Sequence, residues 1–153
     1  MDDAICATTQ GRSRAPAHLW IVGVLSLLWN AVGATDYTMT EMRNAAYLKM
    51  VTPAQMAWID SFPAWAIGAW ALGVWGAMVG SLLLLLLRSR HAVTAFIVSL
   101  VGVFGTTLYQ YVIAPPTGEP QSSSGLAMSA AIWAIAIALL VYARAMRARG
   151  VLR

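Results

Sequence analysis

Four stretches of this chain contain no Asp, Glu, Lys or Arg at all: 17–35, 64–87, 92–113 and 126–143. Each approaches the ~20 residues that carry a helix across the hydrocarbon core of a bilayer. Spanning β-strands of about 10 residues would alternate apolar and polar positions. These runs are apolar throughout, and helices are then the only structures that satisfy their backbones in lipid. The composition agrees, with 59% hydrophobic and 10% charged residues against roughly 45–50% and about 25% in soluble domains. The expected fold is therefore all-α, a polytopic four-helix membrane domain over 17–143, and an ordinary soluble enzyme is excluded.

The basic residues read as topology signals. Arg12 and Arg14, Arg88 and Arg90, and Arg144, Arg147, Arg149 and Arg153 place eight cations on one side, against Arg43 and Lys49 on the other. The positive-inside rule puts both ends in the cytoplasm, as a tail over 1–16 and a basic tail over 144–153. This clustering at helix ends, rather than along one face, argues against a nucleic-acid partner despite a net charge of +4. The first span, with Arg12 and Arg14 ahead of it and Val32-Gly33-Ala34 near its end, also imitates a secretory signal. A long leader carrying Asp2 and Asp3, and Trp29-Asn30 just before the supposed cleavage point, favour a retained span. The single Cys6 excludes an intrachain disulfide and any Cys-x-x-Cys site.

Between the spans, Arg88-Ser89-Arg90-His91 reads as a tight inner turn. The stretch from Pro115 through Glu119 to Gln121 and the following serines reads as an irregular outer loop. The outer segment 36–63 is longer than a hairpin needs and should hold short amphipathic helices. Met39, Met42, Ala46 and Met50 recur at helical spacing, predicting one of them. Thr52-Pro53-Ala54-Gln55 is a capping box with proline at the first helical position, predicting another, and Pro63 then starts the second span.

Leu28-Trp29-Asn30-Ala31-Val32-Gly33-Ala34-Thr35-Asp36-Tyr37-Thr38-Met39-Thr40, Thr52-Pro53-Ala54-Gln55, Phe62-Pro63-Ala64-Trp65, Trp70-Ala71-Leu72-Gly73-Val74-Trp75-Gly76 and the Tyr142-Ala143-Arg144-Ala145-Met146 ending resemble a family of small four-helix bacterial inner-membrane proteins. Members often carry an automatic label of sugar transporter. The resemblance covers nearly the whole chain and implies a multi-pass protein of the bacterial inner membrane. It assigns no functional residues.

Asn30 lies inside the first span, where a polar side chain turns to the bundle for want of a partner in lipid. If the helix continues outward, Trp29, Gly33, Asp36, Thr40 and Arg43 form one stripe, with Asp36 at the mouth of the bundle. Trp29, Trp70, Trp75 and Trp133 lie deeper than an interfacial belt. With Tyr37, Tyr109, Gln110 and Asn30, such aromatic faces and amides could line a pocket for a sugar or another small neutral polar solute. The plainer alternative is bulky packing with interhelical hydrogen bonds. Gly73, Gly76 and Gly80 mark a helix-packing face, within the bundle or between copies in a homo-oligomer.

No nucleophile–base pair, metal set, phosphate loop or cofactor motif is visible, so neither enzyme activity nor a cofactor is expected. The outer methionines lack a companion His or Cys for copper. His18 and His91 read as interfacial residues rather than haem ligands. Two functional readings stay open: binding or transport of a small neutral solute, and an accessory or scaffold subunit of a membrane complex.

Overall fold

The computed structural model describes residues 16–115 and 123–152. The expectations for the N-terminal tail with Cys6, Arg12 and Arg14, for the loop around Glu119 and for Arg153 lie outside the described residues. Within them every regular element is helical: α1 (Ala17–Glu41), α2 (Pro53–Asp60), α3 (Ala64–Leu82), α4 (His91–Leu108) and α5 (Ser123–Ala148). α3 continues as a π-helical turn over Leu83–Leu87, and α4 does so over Tyr109–Ile113. Four of these helical segments are long and apolar enough to cross a membrane, namely Ala17–Glu41, Ala64–Leu87, His91–Ile113 and Gly125–Ala148.

The boundaries follow local chemistry. The Thr52 hydroxyl accepts from the Gln55 backbone N–H at 3.2 Å, and the Gln55 side chain accepts from the Thr52 N–H at 3.0 Å. This is the reciprocal cap that the motif calls for, with Pro53 filling a position whose N–H would be orphaned. Pro63 caps α3 in extended conformation. At the other end of α3, Arg88 takes a left-handed conformation with φ of 47° and turns the chain into α4.

α3 and α4 form the centre of the bundle, and small residues set their separation. A Cβ placed on Gly102 would lie 2.2 Å from the Gly73 nitrogen, one on Gly76 would lie 3.0 Å from the Ser99 nitrogen, and one on Gly80 would lie 2.8 Å from the Phe96 ring. The Ser99 hydroxyl donates to the Gly73 carbonyl at 2.6 Å. The face formed by Gly73, Gly76 and Gly80 is thus covered by α4 of the same chain. Of the two placements open to this face, packing within the bundle is the one observed.

α1 leans on α3 along a seam of Leu19, Gly23, Ser26, Asn30, Ala34 and Tyr37, spaced by threes and fours as helix packing requires. α5 leans on α4, where Trp133 Nε1 donates to Thr107 Oγ1 at 3.1 Å and the Tyr111 and Ser129 hydroxyls share a 2.6 Å hydrogen bond. Two apolar clusters close the ends. One joins Leu19, Leu84, Val93, Phe96, Leu139, Ala143 and Met146 near the α3–α4 turn, with Leu152 folded back onto it past Gly150 at φ 68°. The other packs Phe62, Ala66 and Tyr109 against Trp58 beside α2.

The segment between α1 and α2 departs from expectation. Met39, Met42, Ala46 and Met50 do not share a helix, because α1 stops at Glu41 and Arg43 adopts φ of 53°. The Asn44 side-chain oxygen then accepts from the Ala46 and Tyr47 backbone N–H groups, each at 3.1 Å. Such a local bond offers the backbone an alternative to helix, and only a short 3₁₀ turn over Leu48–Met50 follows. Arg43 forms an ion pair with Asp60, tying the end of α1 to the end of α2.

Candidate functional site

α1 and α5 meet at the end near the α3–α4 turn. There Leu19 packs with Ala143 and Met146, and His18 Nδ1 and the Tyr142 hydroxyl share a hydrogen bond of 2.6 Å. From that junction the two helices diverge, leaving a cleft of about 760 Å³ whose back wall is α3 and α4. Ligand pockets commonly run from ~300 to ~1,000 Å³. Phe96 and Leu139, which belong to the closed end, form its floor. Leu28 and Val32 on one rim and Met128 and Ile132 on the other are exposed, so the cleft opens sideways between α1 and α5.

The lining is mostly carbon: Val74, Ala77, Val103, Ile135 and Ala136 from three helices, with Trp29 beside the α1 rim. Polar groups sit along α1. Asn30 donates its amide to the Ser81 hydroxyl at 2.8 Å and to the Ala77 carbonyl at 3.3 Å, so its donors are spent on α3. Ser81 in turn donates to the same Ala77 carbonyl. At the far end of the cleft, Asp36 accepts a hydrogen bond from the Tyr47 hydroxyl. That bond pushes the Tyr47 pKa up to about 12, because ionising the phenol would set an anion against a carboxylate. Tyr47 lines the cleft as well, and the Asn44 turn is what carries it back over α1.

A smaller chamber of about 130 Å³ lies among α3, α4 and α5 and shares Gly73, Val74, Val103 and Ile132 with the cleft. Its walls include Trp70, Thr106, Thr107, Gln110, Ser129 and Trp133. Among the described residues the Gln110 side chain has no hydrogen-bond partner.

The residues expected to share one pocket are therefore distributed. Trp29, Asn30 and Asp36 line the cleft, whereas Trp70 and Gln110 line the chamber. Tyr37 packs edge-on against Trp70, with ring centroids 5.0 Å apart. Tyr109 is 6% exposed and donates its hydroxyl to the Ser61 carbonyl, a structural role between α4 and the end of α2. Trp75 is 47% exposed and lines neither cavity.

Sequence reasoning overlooked Tyr47, Ser81 and Ser99. Ser81 and Ser99 carry a signal in being among the few hydroxyls within apolar runs. Tyr47 carries one only through Asn44, a residue that readily builds such turns. Comparison with protein-family models, curated proteins and solved structures finds no match to this chain.

Proposed function

We propose that this chain is a multi-pass protein of a bacterial inner membrane, with both termini in the cytoplasm and the α2 segment outside, that binds a small amphipathic molecule. One observation carries the reading: the cleft between α1 and α5 is walled mostly by carbon and opens sideways between those helices, with Asn30, Thr35 and Asp36 along α1, Tyr47 at one end, and the Ser99 hydroxyl of α4 spent on the Gly73 carbonyl. A molecule with an apolar body and one polar end matches that distribution. A free sugar matches it less well, since it would leave hydroxyls against Val74, Val103 and Ile135. The groups that suit a sugar lie in the chamber of about 130 Å³.

Thermal unfolding of the protein in nanodiscs, scanned against amphipaths and sugars, tests this reading, because a ligand of the folded state raises stability with occupancy. A Cβ at Gly33, which lines the cleft, would meet nothing within 4 Å. Gly33→Leu should therefore obstruct the cleft between Trp29 and Asp36 and weaken an amphipath shift without unfolding the bundle. A shift with sugars alone, or an amphipath shift indifferent to Gly33→Leu, overturns the proposal. Recovery of a fixed membrane partner with no ligand shift favours an accessory subunit.

A further inference from the structure

Among the described residues, the lining of the cleft contains one carboxylate, that of Asp36, and no Lys, Arg or His. In a chain of net charge +4 the charge that the described lining carries is negative. The nearest cation along the chain, Arg43, is committed to Asp60. Tyr47 supplies a neutral donor to one oxygen of the carboxylate. A carboxylate offers about four acceptor sites on its two oxygens, so Asp36 retains capacity for another donor. With its pKa raised to about 12, Tyr47 keeps its proton and holds the carboxylate as an acceptor instead of competing with it as an anion.

The helix geometry adds a second feature. Trp29, Gly33 and Asp36 follow one another along a single face of α1 at intervals of four and three residues. All three line the cleft, and Gly33 leaves open space between the indole and the carboxylate. An indole face attracts cations as well as apolar surface.

We infer that the amphipath bound between α1 and α5 is a lipophilic cation, with its positive group at Asp36 and its apolar body against Trp29 and the α3–α4 wall. The inference rests on the cleft reading given under Proposed function and specifies the charge of its ligand.

Three probes of related shape and different charge separate the two ideas: tetraphenylphosphonium, triphenylphosphine oxide and tetraphenylborate, each titrated into the full chain in nanodiscs while tryptophan fluorescence is followed. Tetraphenylphosphonium should bind saturably and more tightly than the neutral oxide, and tetraphenylborate should bind least. Asp36→Asn should weaken the phosphonium about ten-fold while leaving the neutral oxide within about two-fold. Asp36→Glu should recover part of the loss, which a merely misfolded variant would not. Equal binding of phosphonium and oxide, unchanged in Asp36→Asn and weakened in Gly33→Leu, overturns the cationic assignment and leaves the cleft reading standing. Absence of saturable binding by any of the three overturns the cationic assignment. If Gly33→Leu also leaves every thermal shift unaltered, the cleft reading falls with it.

Discussion

Asn30 of α1 donates its side-chain amide to the Ser81 hydroxyl of α3 at 2.8 Å, the principal polar link between these two helices midway along their contact. Interhelical hydrogen bonds in membrane proteins average about 0.6 kcal/mol and reach about 1.7 kcal/mol. A double-mutant cycle of Asn30→Ala and Ser81→Ala should return a coupling energy in that range, read from reversible unfolding in mixed detergent micelles. Fully additive single mutants would show that the pair carries no energy.

Two glycines should respond oppositely to the same change. Gly102→Ala places a Cβ 2.2 Å from the Gly73 nitrogen, and backbone cannot swing aside as a side chain can. Overpacking of this kind costs about 1–3 kcal/mol and occasionally more, and the upper end is expected here. Gly33→Ala meets open space and removes a flexible residue from a helix interior, a change worth up to about 1 kcal/mol in favour of folding. Unfolding midpoints of the two variants should therefore move in opposite directions.

Tyr47 should titrate late. Its pKa is raised from 10.0 to about 12 by the hydrogen bond to Asp36. For a group whose proton is held more tightly in the folded state, the linked stability is fully present below the unfolded value and is lost as pH rises through the folded one. The stability linked to Tyr47 ionisation should therefore be fully present below pH ~10 and be lost between pH ~10 and ~12. Ultraviolet titration should show one tyrosinate with a midpoint near 12 that is missing from Tyr47→Phe. A difference spectrum centred near 10 would refute the contact.

Orientation is open to labelling. On a background lacking Cys6, Lys49→Cys should react with an impermeant maleimide in intact cells, and Ser89→Cys only after permeabilisation. The reverse pattern would invert the proposed topology.

What the sequence made legible was whatever depends on local pattern. The four long helices follow from uncharged runs of sufficient length, and the start of α2 follows from Thr52, Pro53 and Gln55. The close approach of α3 and α4 is foreshadowed by Gly73, Gly76 and Gly80, although spacing alone did not say which helix would cover them. Asn30 was legible as a polar residue turned inward. Its partner Ser81 was not, because nothing in a sequence sets the rotation of α1 against α3. The methionine spacing misled because the Asn44 side chain, a stronger local influence than apolar periodicity, breaks the helix and delivers Tyr47 to Asp36. Trp75 and Tyr109 resemble Trp29 in type and depth, yet one faces outward and the other packs under α2. Residue type does not distinguish those positions.

The backbone crossing at Gly73 and Gly102 also decides which parts of the molecule are able to move. Where two main chains touch there is no layer of side chains to yield, so α3 and α4 cannot slide past each other without losing that contact altogether. α1 and α5 are attached to this fixed spine through side chains, and they join one another around His18 and Tyr142. Between them the cleft is bounded by side chains, which can change rotamer where the α3–α4 backbone contact cannot yield. A ligand of the cleft proposed above would therefore be accommodated by the side chains of α1 and α5 and not by a parting of α3 from α4.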